Sequence, residues 1–413
     1  MKYLLLLLIA CCSSLPSGAF PLVHIRLQVD PVTHSFTCRY RFTLPVSDTT
    51  SVVNLHLNRA FTLHRVRTPR AVQGHVTTAR YLSDTVHHVQ VRYASHPQRP
   101  RELELTYSGT MGKGQFNDQV AIFSGHSNWL PFRPYQEYEP VMYELDVLVP
   151  AAYQVRSTVP AERPRSGHWV FHGTTPAIEP TALIAQQFYQ MMSSPAAPVS
   201  VIKTGVALAQ PDTAMLHQAD AIVAFYNRTI GREDPLTQFT IFLPGTNYEG
   251  YGLRANAAVI TYTDFNVTQP ADLLILAHEI SHKWWAYGSF HDENGWLSEA
   301  FATYSSLLYI QSRGDEAGYK AELARLAETA AGAPPIWGFN RYAYPFPMYR
   351  RVIYNKGTGI LAALHGRVGT ELFLTILAHT AAQKTSTTLG FLATVEQVAG
   401  PEIQTWLRSE LQR

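Results

Sequence analysis

The first part of the chain, residues 22–159, alternates between hydrophobic and polar positions in short runs. Residues 24–29, 51–57 and 102–107 are clear examples, and turn-forming residues separate the runs. Alternation with a period of two is typical of strands that bury one face and expose the other. The pattern therefore predicts an antiparallel β domain, and residues 143–150 are a late strand of it.

The pattern changes after this region. Residues 182–192 predict a helix or connector that leaves the β domain, and the Ser-Pro-Ala-Ala-Pro run at residues 194–198 predicts a hinge. Beyond it, residues 214–226 have helical spacing, and residues 239–243 and 259–262 have the composition of strands.

The remainder, to Arg413, is mainly helical in pattern. We therefore expect an α+β protein with a β domain over residues 20–195 and a mixed, mainly helical domain over residues 196–413.

Composition limits the partners that this protein can have. Among the 413 residues, 46% are hydrophobic and 12% aromatic, which excludes a disordered chain. The formal net charge is only +2, and lysines and arginines are mixed along the sequence. No basic face suited to nucleic acid or to an anionic membrane is indicated.

The N-terminus has the pattern of an export signal over residues 1–19. A basic start is followed by an apolar run that is too short to span a membrane. Residues 8–11, Leu-Ile-Ala-Cys, fit a bacterial lipobox with Cys11 as the lipid-modified residue, whereas residues 17–19 fit an ordinary cleavage site. Both interpretations predict a periplasmic, secreted or envelope-anchored protein.

Residues 278–282 carry two histidines on either side of a glutamate. On a helix, His278 and His282 share one face, so both imidazoles can reach one metal ion while Glu279 lies beside its bound water molecule. The alternative is an amphipathic helix with two core histidines. The motif predicts a catalytic zinc site and a hydrolytic reaction.

A catalytic zinc ion usually takes three protein ligands and keeps a fourth position for water. Residues 296–304 follow a polar turn and have a helical pattern with one inward carboxylate, Glu299. Two antiparallel helices joined by the turn would bring Glu299 beside His278 and His282. Alternative ligands in the turn are His291, Asp292 and Glu293.

These motifs resemble those of the aminopeptidase N family of gluzincin zinc peptidases. In that family, HExxH is followed after eighteen residues by a glutamate in a W-L-N-E-G-F-A-like segment. Residues 296–302, Trp-Leu-Ser-Glu-Ala-Phe-Ala, are a close match, although residues 283–298 make a shorter gap. The resemblance implies a thermolysin-like catalytic domain with one Zn²⁺ per chain. It also implies a short bacterial-type member without the large C-terminal helical domain.

The family's Y-x-K-G segment also has a counterpart, at residues 354–357. The resemblance implies that Tyr354 hydrogen-bonds the oxyanion that forms during peptide cleavage. A donor aimed at developing negative charge typically contributes ~3 kcal/mol of transition-state stabilisation. We expect this tyrosine to open an apolar helix.

The resemblance is weakest at the G-x-M-E-N segment, which grips the free amino terminus of the substrate in family aminopeptidases. Matching the family's following L-I-T-Y to residues 259–262 puts residues 252–256 in its place. Gly252 and Asn256 are kept and are expected to contact substrate, but Ala255 replaces the amine-binding glutamate. A buried ammonium without a counter-charge is unfavourable. Alternative anchors are Glu249 and Glu137.

The expected function is that of an exported zinc metallopeptidase that acts on peptides or proteins, most closely an aminopeptidase. Ala255 leaves endopeptidase or altered exopeptidase action open. A non-catalytic peptide-binding surface protein is an alternative of another class, but it would not need the complete motif set. A structural zinc site is disfavoured because such sites are rich in cysteine, and Cys38 is the sole cysteine after the signal. The sequence indicates no oligomeric state.

Overall fold

The computed structural model describes residues 20–82, 84–94, 99–162, 165–193, 198–245, 251–253, 258–260 and 265–413. The predicted export signal with Cys11 lies outside these residues, as do Asn256, Ala255 and Glu249 of the substrate-binding prediction. The described chain is an α+β protein in which a β part precedes a mainly helical part, as the sequence predicts.

Short amphipathic runs build the β part. The runs predicted at residues 24–29 and 102–107 lie inside strands, and the run predicted at residues 51–57 begins one residue before a strand. The strands are β1 (Leu22–Asp30), β2 (Ser35–Leu44), β3 (Val52–Asn58), β4 (Thr62–Arg67), β5 (Ala71–Tyr81), β6 (Asp84–Tyr93), β7 (Arg101–Thr110), β8 (Ala121–Phe123), β9 (Pro140–Leu148), β10 (Gln154–Arg156), β11 (His168–Pro176) and β12 (Ala182–Ala185). Alternate side chains of β1, such as Val23, Ile25 and Leu27, enter the core.

Three sheets form from these strands. Their orders are β11-β9-β1-β2-β7-β4, β3-β6-β5 and β10-β12-β8. The pairs are antiparallel as predicted, apart from β1 and β9, which run parallel. The period of hydrophobic positions cannot reveal this pairing. The pairing depends on which strand β9 lies beside when the chain returns to the sheet after β8.

The prediction of a helix or connector at residues 182–192 is wrong. The segment contains β12, whose four residues are all buried between β8 and β10, and then β13 (Phe188–Met192). A short, continuous apolar run has no period that separates a buried strand from a helix, so the two cannot be distinguished by pattern.

A fourth sheet begins with β13 and continues with β14 (Val199–Thr204), β15 (Phe239–Leu243), β16 (Tyr251–Leu253) and β17 (Ala258–Ile260). Its order is β13-β14-β15-β17-β16. β13 and β14 lie on either side of the predicted hinge, yet they pair antiparallel in one sheet. The change of sheet therefore falls between β12 and β13, before the boundary predicted at residue 195.

Helices make up most of the remaining chain. They are α1 (Gln210–Arg228), α2 (Pro270–Ser281), α3 (Trp296–Ser312), α4 (Glu316–Ala330), α5 (Phe346–Tyr349), α6 (Gly357–Val368), α7 (Thr370–Ala382), α8 (Thr388–Ala399) and α9 (Pro401–Gln412). One apolar core joins α1 and its sheet to α2, α3 and the later helices. The helix predicted at residues 214–226 lies within α1.

Within the described residues, no helix is both long enough and apolar enough to cross a membrane. Cys38 lies in β2 and is buried and free of any disulfide. Burial raises the pKa of its thiol to about 12, although a hydrogen bond with Tyr107 opposes the shift. The thiol therefore stays protonated and packs as a small apolar group.

The close approach of α6 to α3 gives a test of the packing. A methyl group on Gly357 would lie 2.6 Å from the Cβ atom of Ala300. Because the helices would have to separate, we expect Gly357→Ala to lower the free energy of unfolding by about 1–3 kcal/mol in urea denaturation.

Gly359 is a matched control in the same helix, since a methyl group there would meet no atom within 4 Å. Gly359→Ala should be neutral or should stabilise by up to ~1 kcal/mol, because alanine favours helix more than glycine. Equal effects of the two substitutions would contradict the described packing.

Candidate active site

The end of α2 carries the two histidines. Pro270 starts the helix, where its missing N–H costs nothing, and Leu276, Ala277 and Ile280 bury its apolar face. His278 lies in the last turn and His282 caps the helix, with 4.8 Å between their ring centroids. The predicted helical arrangement is therefore observed, and both imidazoles are directed to one point.

The first turn of α3 brings a carboxylate to the same point. Glu299 Oε2 lies 3.5 Å from Nε2 of His278 and 3.7 Å from Nε2 of His282. Residues 296–302 are buried throughout, so this side chain lies in the interior, where α3 packs against α2. The structure thus brings together the three residues that the sequence predicts as metal ligands.

The distances fit a zinc ion. With zinc–ligand bonds of about 2.0–2.1 Å, tetrahedral ligand atoms lie ~3.4 Å apart. Glu279 is a competing carboxylate, because it and the two histidines also place ligand atoms within 4.8 Å of one another. We favour Glu299 as the ligand because its Oε2 is close to both imidazoles, whereas Glu279 Oε2 lies 3.9 Å from Nε2 of His282.

Hydrogen bonds on the far side of each ring fix the imidazole tautomers. Nδ1 of His282 lies 2.9 Å from the backbone carbonyl oxygen of Trp285, to which it can only donate. Nδ1 of His278 lies 3.3 Å from the hydroxyl of Thr303, and this hydroxyl already donates its proton to the carbonyl oxygen of Glu299. Each Nδ1 therefore carries the proton, and each Nε2 is left with a lone pair for a metal.

Charge at the site also favours a cation. Burial lowers the pKa of His278, but the hydrogen bond to Glu299 and the negative charges of Glu279 and Glu299 outweigh burial and raise it. Two carboxylates in a mostly buried position thus draw positive charge towards this imidazole. A divalent metal would supply that charge directly.

Glu279 receives a hydrogen bond from β16, the edge strand of the fourth sheet. The backbone N–H of Gly252, in β16, donates to Glu279 Oε2 at 2.6 Å. A methyl group on Gly252 would lie 3.0 Å from the backbone oxygen of Glu279. The glycine predicted to bind substrate therefore also holds the carboxylate of the predicted base.

Tyr354 lies beside His278, with parallel rings whose centroids are 6.3 Å apart. Burial, followed by the negative charge of Glu299, raises the pKa of its hydroxyl well above the usual range, and a hydrogen bond to Glu299 adds to this. The hydroxyl therefore remains a proton donor. The sequence predicts that Tyr354 opens α6, but this residue belongs to a π-helical turn, Arg350–Lys356, immediately before α6.

Two of the alternative ligands in the turn, His291 and Asp292, have other partners, and the third, Glu293, begins a short helical turn. Both ring nitrogens of His291 are engaged, with Glu137 Oε2 at 2.9 Å and with the hydroxyl of Tyr342. The Asp292 carboxylate accepts from the N–H of Asn294 and so caps a short helical turn. A cavity of about 730 Å³ opens beside His291 between the two parts of the protein, and none of the predicted metal ligands lines it.

Sequence reasoning missed three contributors. Thr303 could have been found from its place four residues after Glu299 on the same helix face. The carbonyl of Trp285 and the guanidinium of Arg350, which lies 4.6 Å above the ring of Tyr354, have no signal in the sequence pattern. Both contacts are local, but they depend on the backbone geometry just beyond α2 and in the π-helical turn, which the spacing of hydrophobic positions does not specify.

No protein-family model matches this chain, and no curated protein matches it in sequence. Its structure is similar to that of the M1 zinc metallopeptidase from Deinococcus radiodurans, with a TM-score of 0.69 and 17% identity over 95% of this chain and 93% of that chain. A mutant of that peptidase bound to a Tyr-Ser-Ala substrate gives a TM-score of 0.70 at 17% identity, over 95% and 94% of the two chains. At this identity, the similarity establishes the fold.

The hydroxyl of Thr303 gives a test of the site. Thr303→Val keeps the side-chain shape but removes the acceptor for Nδ1–H of His278. We expect zinc affinity to fall about 10–100-fold in a competition titration, because the imidazole loses its fixed orientation and tautomer.

Thr380→Val in α7 is the matched control. Thr380 is also buried, and its hydroxyl also donates to the carbonyl four residues earlier, that of Ile376, but among the described residues it forms no hydrogen bond with a histidine ring. Zinc affinity should not change in this variant. An unchanged affinity in Thr303→Val would contradict the assigned role of the hydroxyl.

Proposed function

We propose that this protein is a zinc-dependent metallopeptidase of the M1 gluzincin family. The observation that carries the proposal is the convergence of His278, His282 and Glu299 on one point, with Glu279 and Tyr354 beside it. The fold shared with the M1 zinc metallopeptidase of Deinococcus radiodurans supports the same assignment. One Zn²⁺ per chain would be held by the three converging side chains.

When bound there, zinc would lower the pKa of a water molecule and polarise the scissile carbonyl group. Glu279 would accept a proton from the attacking water and pass it to the leaving amine. The N–H of Gly252 would keep the accepting carboxylate in place at the strand edge. Tyr354, whose raised pKa keeps it protonated, would donate a hydrogen bond to the oxyanion.

The substrate would be a peptide. The M1 structures that resemble this protein are described as complexes with a Tyr-Ser-Ala substrate and with L-arginine, which supports action at a chain end. Aminopeptidase-like cleavage is therefore the first form of the proposal. The second is endopeptidase or altered exopeptidase action, because Ala255 stands where the amine-binding glutamate of the family is expected.

Glu137 does not provide a free replacement for that glutamate. Its carboxylate is buried, accepts a hydrogen bond from the hydroxyl of Tyr81 and lies 2.9 Å from Nε2 of His291. A carboxylate already held by two partners would have to give one up to bind a substrate ammonium. This supports weak discrimination at the substrate's amino end.

The proposal includes the cellular setting that the sequence indicates. Residues 1–19 would direct export, and the mature enzyme would be periplasmic, secreted or anchored through Cys11. The β domain over residues 20–195 would precede the catalytic domain over residues 196–413, and the last strand before that boundary, β13, would pair with the sheet of the catalytic domain.

Paired peptides test the function and its specificity together. We expect the zinc-loaded protein to cleave a short peptide with a free amino terminus and its N-acetylated twin with kcat/KM values within about tenfold, a preference below ~1.4 kcal/mol. Without a fixed counter-charge, neither form gains a strong advantage. Mass spectrometry of the products locates the cleaved bond.

Glu279→Gln is the control, because the amide keeps the shape of the side chain but removes the base. It should lose nearly all turnover on both peptides. Failure of the wild-type protein to cleave any member of a peptide library would refute the proposed function. A preference of roughly a hundredfold for the free amine, about 2.7 kcal/mol, would instead restore a conventional aminopeptidase.

A further inference from the structure

Two arginines lie on the faces of neighbouring tyrosine rings beside the candidate active site. The guanidinium of Arg350 is 4.6 Å from the ring centroid of Tyr354, and that of Arg341 is 4.8 Å from the ring centroid of Tyr349. The two tyrosine rings are 6.2 Å apart in an edge-to-face arrangement. Stacking on an aromatic face holds a guanidinium in place while its N–H edge stays available.

Neither arginine forms an ion pair with a carboxylate among the described residues. Arg350 is exposed, and Arg341 is partly exposed. The guanidinium of Arg341 donates to the backbone carbonyl oxygen of Phe290 at 3.5 Å. The guanidinium of Arg351 donates to two backbone carbonyl oxygens, those of Thr329 and Ala331, at 2.9 and 2.6 Å. Arg351 thus has a structural role, whereas Arg350 presents an unneutralised charge to the solvent.

The position of Arg350 connects this charge to the reaction. Tyr354, on which it is stacked, hydrogen-bonds Glu299 and lies parallel to the ring of His278. The ring of Tyr354 therefore contacts both the guanidinium of Arg350 and a predicted metal ligand, His278. A group held by Arg350 would lie within a residue or two of the bond being cleaved.

We propose that Arg350, with the added positive charge of Arg341, forms a subsite for a substrate carboxylate. A planar guanidinium can bind both oxygens of a carboxylate at once, which gives direction as well as energy. Exposed phenyl and phenol rings nearby, those of Phe346 and Tyr344, offer an apolar surface to the rest of the substrate. This inference rests on the proposed peptidase function and specifies its substrates as acidic or short peptides.

Two sources could supply this carboxylate. One is the side chain of an acidic residue next to the cleaved bond, and the other is the free C-terminus of a short peptide. Four peptides of otherwise identical sequence separate them: Glu or Gln beside the cleaved bond, each with a free or an amidated C-terminus.

For the carboxylate that binds Arg350, whether side chain or C-terminus, wild-type protein should cleave the peptide that carries it at least about tenfold better in kcat/KM than the matching peptide with the Gln or the amide. The gain should come mainly through a lower KM. In Arg350→Gln this ratio should fall to about one. Arg350→Lys should keep part of it, because the charge remains without the planar edge. Arg351→Gln removes the same charge one residue away and should leave the ratio as in wild type.

Two results would overturn the subsite. One is a wild-type ratio near one for both sources. The other is an Arg350→Gln variant that keeps the ratio while kcat falls equally for every peptide, since Arg350 would then only position Tyr354. If the fully neutral peptide is cleaved but carboxylates bring no advantage, this inference fails and the proposed function stands. If wild-type protein cleaves none of the peptides, both fail.

Discussion

The packing of α2 against α3 is the constraint on which the candidate site depends. Trp285, just beyond α2, packs on Phe301 of α3 with 4.9 Å between ring centroids, and its indole N–H donates to Ser305 at 2.8 Å. Tyr226 of α1 donates to the carbonyl of Ala277 and ties α2 to the core from the other side. Apolar packing therefore fixes the distances between two histidines and one glutamate. These are polar side chains that are unfavourable to bury without partners. The same Trp285 supplies the carbonyl that orients His282.

Polar groups at the site are thus carried by a rigid apolar frame, and each is held by a second contact. Thr303 orients His278, Gly252 holds Glu279, and the ring of Tyr354 contacts both His278 and the guanidinium of Arg350. Such outer contacts usually decide how well a metal is bound and how well a base is aimed. The proposed chemistry needs a cation here, and the two carboxylates provide the charge that would hold it.

The sequence predicts the parts of this arrangement that are local or periodic. Two histidines on one helix face and an inward glutamate on the next helix can be derived from spacing, and the alternating runs correctly predict most of the β part. Residues 182–192 fail because a buried strand of four residues has no period of its own. The parallel pairing of β1 with β9 joins segments that are distant in the chain. The π-helical turn and the stacking of Arg350 on Tyr354 within it depend on local backbone geometry, and the hydrophobic pattern encodes neither feature.

The zinc dissociation constant of two amide variants tests the central claim most directly, because two carboxylates compete for the third ligand position. Glu299→Gln should weaken zinc binding by roughly a hundredfold or more, since it removes a direct ligand. Glu279→Gln should bind zinc within a few-fold of wild type. The reverse order, with Glu279→Gln losing the metal and Glu299→Gln keeping it, would contradict the account.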